Sequence, residues 1–239
     1  YGYTRDNTQM SIVLCRQGMD EVVKVGTKGT AFWVDRYEAS IWDREDGSGK
    51  QYGVGQYDYP AVFPRNGQAT QALYAVSRIG VTPSTMMTWF QANEACRSSG
   101  KKLPSSGEWF AAVRGTIDPG DSTGSGGTCV TNGPIRATGG GGKCVSDWGV
   151  QDMVGNATEW TAEWQAAPGT GSEGGQPWPA GFGNDETYNL ISSAFALGMP
   201  PAIKNMPSII SRGGDNTRGV QSGIFSIDLS ASPVNTDLN

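Results

Sequence analysis

Apolar positions in this chain come in short runs separated by stretches of Gly, Ser, Thr, Pro and Asn, a pattern that predicts short strands and few helices. GTAFWVDRYEAS (29–40) is apolar and aromatic, ends in an acidic turn, and reads as a core strand. Residues 43–82 are irregular and rich in Gly, Tyr and Pro. Two helices follow. The first is expected from about Thr85 to Ser98, where Met86, Trp89, Phe90, Asn93 and Cys96 recur near helical spacing until Gly100 ends it. The second starts after Pro104, with Ser105 or Ser106 as N-cap, Glu108 in the first turn, and Trp109, Ala112 and Val113 on one face. Near the end of the chain Phe225, Ile227 and Leu229 alternate with Ser226, Asp228 and Ser230, the pattern of a half-buried strand. On that reading the apolar set lies inward and the polar set meets solvent.

Residues 116–146 form a Gly/Ser/Thr-rich insertion and 165–187 a second, Gly/Pro-rich one. Neither reads as an interdomain linker, so residues 1–239 are expected to form one domain, long enough to bury a sizeable core. The 35 glycines and 13 prolines, with only 17% charged residues, fit a loop-rich fold and rule out a helical bundle. A net charge of −5 without any Lys/Arg cluster leaves nothing to neutralise phosphates, so nucleic acid is not an expected partner. The apolar runs are too short for membrane insertion, and YGYTRDNTQM lacks the apolar centre of a secretory signal. The sequence opens on Tyr1 rather than Met, as a chain with a removed leader would.

The chain contains no histidine, which excludes Ser-His-Asp triads, His-based zinc sites and His-bound iron. Cys15, Cys96, Cys129 and Cys144 show no C-x-x-C spacing, so a metal-binding cysteine cluster is not expected either. Cys129 and Cys144 flank the Gly-rich excursion TNGPIRATGGGGK, and a disulfide closing it would contribute about 3 kcal/mol; two free thiols in a reducing cell are the alternative. Trp109, Trp160 and Trp164 read as core rather than as ligand-stacking residues. Asn156-Ala157-Thr158 matches a glycosylation sequon, but it sits in a string expected to fold inward.

FWVDRYEAS, GKKLPSSGEWFAAVRG, WGVQDMVGNATEWTAEW and SRGG, in that order, together resemble the formylglycine-generating-enzyme (sulfatase-modifying factor) family of the C-type-lectin fold. The resemblance implies an α+β fold, loop-rich, with two helices and short irregular sheets. It also narrows the chemistry. The family's oxidase uses a copper-binding thiol pair after R-G-G, and residues 213–239 hold no cysteine; its carbon–sulfur-forming branch uses His-bound iron, and there is no histidine. The tail is instead similar to that of the variable proteins of diversity-generating retroelements. Arg212, Gly213, Gly214, Gly219, Gly223, Phe225, Leu229 and Pro233 fall in their register, and the sequence stops at Asn239, where their I-G-F-R would begin. Random replacement of adenines in an Asn codon never yields Lys, Glu, Gln, Met or Trp, and from Pro207 to Asn239 only Gln221 belongs to that set.

The resemblance therefore implies a non-enzymatic, receptor-type ligand-binding protein whose segment 211–239 is a hypervariable surface. The alternative is a catalytically inactive structural or accessory relative of the formylglycine-generating enzyme. Asp215, Asn216, Thr217, Arg218, Val220, Ser226, Asp228, Ser230, Ser232, Val234, Asn235 and Asp237 are expected to line one exposed face that contacts a protein or cell-surface ligand, with Arg218 its strongest single contact. Phe225, Leu229 and Pro233 are expected to anchor the segment in the core. Surface or virion display is what the resemblance suggests, and a cytoplasmic address is compatible with the residues. No cofactor is required. A structural calcium ion is implied, held by Asp152, Glu159 and the Gly155 and Ala157 carbonyls; the alternative is that the two carboxylates cap turns and pair with Arg. The resemblance would also tie Cys96 to a cysteine beyond G-F-R. None occurs here, so Cys96 is expected to be buried and unmodified.

Overall fold

The computed structural model describes residues 2–4, 11–27, 29–165, 175–177, 186–188 and 207–236. Strands β1 (Gly2–Thr4), β2 (Ser11–Gln17), β3 (Asp20–Val25) and β4 (Phe32–Asp35) form an antiparallel meander in that order. Gly18, at φ 61, lets β2 turn into β3 over only two residues. In β3 alternate residues Val23 and Val25 are fully buried, as a period of two requires when one face covers a core. The expected core strand 29–40 is split instead. The chain leaves β4 at Asp35, turns, and re-enters a second sheet as β5 (Ser40–Trp42), between β6 (Gln51–Tyr52) and β7 (Tyr74–Val76). Trp33 on β4 is 49% exposed, because β4 borders solvent on that side.

Helix α1 (Trp89–Ser98) starts later than its apolar spacing suggests. Met86 takes a left-handed φ of 59, which is incompatible with a helical turn, so the helix begins only after Thr88. Thr88 and Gln91 form a reciprocal capping box there, and Gln91, fully buried, also donates to the Phe63 carbonyl at 2.8 Å. Helix α2 (Ser106–Ala112) is capped by Ser105, whose hydroxyl accepts from Glu108 N while the Glu108 carboxylate accepts from Ser105 N. One core gathers Ile12, Val23, Val25, Trp109, Val113 and Val154; a second gathers Ile41, Tyr59, Phe63, Leu73 and Ala95 under α1.

The third sheet has the order β12 (Ile227–Ala231), β11 (Ser208–Arg212), β8 (Glu159–Gln165), all antiparallel, and α2 packs on β8 and β11. Strands β9 (Gly175–Pro177) and β10 (Glu186–Tyr188) pair as a ribbon. Most of the insertion 165–187 lies outside the described residues. The insertion 116–146 is ordered around a disulfide, Cys129–Cys144, with Cα atoms 4.7 Å apart and both side chains in the core. Among the described residues no helix is long and apolar enough to cross a membrane.

Two cysteines remain free: Cys15, exposed on β2, and Cys96, half-buried on α1. Burial pushes the Cys96 thiol up to about 12, which leaves almost no thiolate at neutral pH. Iodoacetamide at mildly alkaline pH is expected to label Cys15 rapidly and Cys96 only as fast as the protein unfolds. Peptide mapping that finds both modified at similar rates would contradict this.

Candidate functional site

The tail leaves β11 through two consecutive left-handed glycines, Gly213 (φ 81) and Gly214 (φ 74). Neither tolerates a side chain. A Cβ on Gly213 would sit 2.4 Å from a Glu159 carboxylate oxygen, and one on Gly214 would sit 2.8 Å from the Ser222 Cα. The Gly213 carbonyl accepts from Gly155 N (3.3 Å) and Gly223 N (3.1 Å), which pulls both limbs of the following loop together. Asp215 then organises the turn: its carboxylate accepts from the Thr217 N–H (2.7 Å) and hydroxyl (2.6 Å), and its carbonyl accepts from the Ser222 hydroxyl (2.8 Å). Asn216 docks the loop onto the insertion, donating from its amide to the Gly133 carbonyl and accepting from Gly133 N (2.9 Å). Gly219 N donates to the Thr131 carbonyl at 2.7 Å. The disulfide-closed segment is thus the platform on which the tail rests.

The face differs from its expected composition. Thr217, Arg218 and Val220 are exposed, and Ser226, Asp228, Val234 and Asn235 are half-buried. Asp215, Asn216 and Ser232 are buried, because they hold the backbone rather than face outward. The Ser230 side chain and Asp237 lie outside the described residues. The larger correction concerns the anchors. Phe225 is 72% exposed and Ile227 and Leu229 also point to solvent, so of the three expected anchors only Pro233 is buried, its carbonyl accepting from Trp89 N (3.1 Å). The pairing with β11 accounts for this: Asp228 lies opposite the buried Ser211 and shares its inward face, so Ile227 and Leu229 on either side of it turn out. Arg218 bridges Asp215 (3.2 Å) and Asp228 (3.3 Å), so its charge is already answered within the loop. Phe225 packs against Phe110, itself 44% exposed, with ring centres 5.7 Å apart. Beside Ser226 and Asp228 a small polar depression opens between Thr158, Ser211, Gly214 and Gln221.

Beneath this face lies a buried polar knot. Asn156, left-handed at φ 60, accepts from Arg136 N (2.8 Å) on its side-chain oxygen and donates from its amide to Glu38 and to the Arg136 carbonyl (3.1 Å). Its side chain is therefore enclosed and unavailable as a glycosylation site. Asp152 accepts from Arg136 (3.0 Å) and from Gly139 N (2.9 Å). Glu38 accepts from Ala157 N (2.8 Å); burial, then the nearby Asp152 charge, pushes its carboxyl well above the usual carboxylate range. Glu159 is pushed up likewise, first by burial and then by Glu38. The Trp109 indole is near enough to favour the charged form, yet neither its N–H nor either Glu159 oxygen completes a hydrogen bond.

Of the four residues expected to hold calcium, Asp152 is already engaged. Both Asp152 oxygens are taken by Arg136 and Gly139, and no group of three or more acidic or thiol side chains converges as metal ligands among the described residues. Of the three tryptophans expected in the core, Trp109 is there at 1% exposure; Trp160 is half-buried, and Trp164, 40% exposed, packs edge-on against Trp89 and Phe90.

Small antiparallel sheets around two short helices, with long loops presenting one face, define a loop-rich α+β protein of the C-type-lectin fold. Residues 27–214 match the sulfatase-modifying factor enzyme 1-like domain, and the chain belongs to that family. Solved structures of the Major Tropism Determinant share the fold. The P3c variant superposes with a TM-score of 0.56 at 19% identity over 91% of this chain and 50% of that one; the I1 variant superposes with 0.56 at 20% identity over 96% and 53%. This chain thus corresponds to about half the length of those structures. No curated protein matches it in sequence.

Because Glu159 is buried without a cation, its ionised form destabilises the fold. That penalty is absent below the ordinary value of 4.5, where the group is protonated whether folded or not, grows as pH rises toward the raised value, and levels off above it. Glu159→Gln is therefore expected to melt higher than the parent, by a margin that widens from about pH 4 to about pH 8. A margin that is constant or shrinks over that range would refute the assignment.

Proposed function

We propose that this chain is a non-enzymatic, receptor-type protein whose tail, residues 211–236, is a sequence-diversified surface for a protein ligand on a cell, presented at the exterior of a virion or cell. The observation that carries this reading is the division of labour within the tail. Gly213, Gly214, Asp215, Asn216 and Ser222 fix the backbone through buried contacts, while Thr217, Val220, Phe225, Ile227 and Leu229 are exposed. Val220 and Phe225 are each 72% exposed, and Phe225, Ile227 and Leu229 alternate along one outward-facing stretch, the kind of contiguous apolar surface that marks interaction sites. Phe225, a 72% exposed aromatic ring set beside the exposed Phe110, replaces Arg218 as the principal contact, since Arg218 would have to give up two ion pairs to bind. The names of the solved neighbours, variants of one tropism determinant, support the reading. So does the absence of any thiol from the tail and of histidine from the whole chain. The competing reading, an inactive accessory relative of the formylglycine-generating enzyme, rests on family membership alone.

A combinatorial library at Thr217, Val220, Phe225, Ile227 and Leu229 tests the proposal. Most members are expected to stay folded, each substitution shifting stability by less than about 0.5 kcal/mol, and selection against an unrelated protein should yield binders. Asp215→Ala, which removes the turn's hub, is expected to cost about 1–3 kcal/mol in the same host. If the library members unfold as Asp215→Ala does, or if none can be selected for binding, the surface is not a diversified receptor. In the coding DNA, a second copy of the tail differing only at adenines is expected beside a reverse transcriptase gene. A unique tail would favour the accessory reading.

A further inference from the structure

Away from the tail, a cavity of about 550 Å³ lies between β4, α1, α2 and residues 150–160. Protein interiors rarely leave voids larger than a water molecule, whereas ligand sites span roughly 300–1,000 Å³. Its walls are largely apolar and aromatic, with Phe32, Trp33, Tyr37, Met87, Trp109 and Trp160 among them. The exposed Trp33 and Lys102 put the entrance at the solvent edge beside β4 and α2.

Charge decides what would fill it. Four carboxylates line the cavity: Asp35, Glu38, Glu108 and Glu159. Two are answered by lysines also in the lining, Asp35 by Lys101 and Glu108 by Lys102, both at 2.8 Å. Lys101 has no charge to spare, because it is shared with Asp20 at 2.7 Å. The other two carboxylates have no ion pair among the described residues. Glu38 accepts from the neutral donors of Asn156 and Ala157, with the Arg136 charge acting on it from nearby, and Glu159, with both oxygens buried, completes no hydrogen bond among the described residues, although the Trp109 indole and its own main-chain N–H lie close. Buried carboxylates are costly unless a cation pairs with them. Aromatic faces add attraction for a cation, and the low dielectric of the walls lets both carboxylates act on it at a distance.

We propose that this cavity is a binding site for a small organic cation, an ammonium group carried on a compact apolar body, with Glu159 and Glu38 as its counter-charges. Neither the tail surface nor the family match assigns such a site. The volume suits a body of one aromatic ring and a short chain, and an inorganic cation would leave the apolar walls unfilled.

The test uses three probes of similar shape on the full chain: 2-phenylethylammonium, neutral 2-phenylethanol and anionic phenylacetate. Binding is followed by titration calorimetry and by the fluorescence of the lining tryptophans. The ammonium should bind saturably, the alcohol at least about tenfold more weakly, and phenylacetate not measurably. Glu159→Gln should weaken the ammonium at least about tenfold and leave the alcohol unchanged, with an unaltered circular dichroism spectrum. Ala92→Leu, which narrows the α1 wall, should weaken both probes and serves as the second variant should the first fail to fold. Absence of saturable ammonium binding, equal affinity for the alcohol, or indifference to both substitutions would overturn the proposal.

Discussion

Asn156 is the residue on which the rest of the binding architecture depends. Its side chain joins Arg136 in the disulfide-closed insertion to Glu38 at the end of the first sheet. Its main chain accepts from Asn216 N in the tail (3.2 Å) and donates to the Val130 carbonyl (2.7 Å). Three segments far apart in sequence meet at this one residue, in a left-handed conformation that Asn adopts more readily than other side-chain-bearing residues. In a fold with short strands and long loops, where few ladders exist to position anything, such buried hydrogen bonds take over the work of secondary structure. Each satisfies a polar group that would otherwise be costly to bury.

The tail extends the same logic. Its loop is not shaped by the side chains it displays but by two glycines, one aspartate and a serine that all point inward, and by the insertion beneath it. Shape and display are assigned to different residues. This arrangement lets a surface vary widely without asking each variant to refold, which is the physical requirement for any diversified receptor.

The two helices were legible in the sequence, the second from its local cap of Ser105 with Glu108, the first from apolar spacing that did not reveal its true start behind the Thr88–Gln91 capping box. The disulfide was legible as well, since a Gly-rich excursion with little apolar content needs covalent closure. The orientation of β12 was not. Alternation along Phe225 to Ser230 shows that two faces differ, but which face is inward depends on its register against β11, where Asp228 lies opposite the buried Ser211, and local pattern cannot reveal that. The burial of Asp215 was closer to reach, because an Asp followed two residues later by Thr, between Gly pairs and a further Gly, is the pattern of a side-chain-closed turn. The acidic pair of Glu38 and Glu159, 121 positions apart, left no trace in spacing at all.

Strand β12 lies at the outer margin of its three-stranded sheet and turns Ile227 and Leu229 toward solvent. A free sheet margin bearing aliphatic side chains is a template for edge-to-edge association with other chains, a hazard that proteins ordinarily blunt with charge or proline. Here Asp228 is the one charged residue within the strand, and Pro233 follows just beyond its end. Under the proposed function, each new version of this surface would be screened for colloidal behaviour before it is screened for recognition, and the repertoire would be bounded less by what can fold than by what stays dispersed.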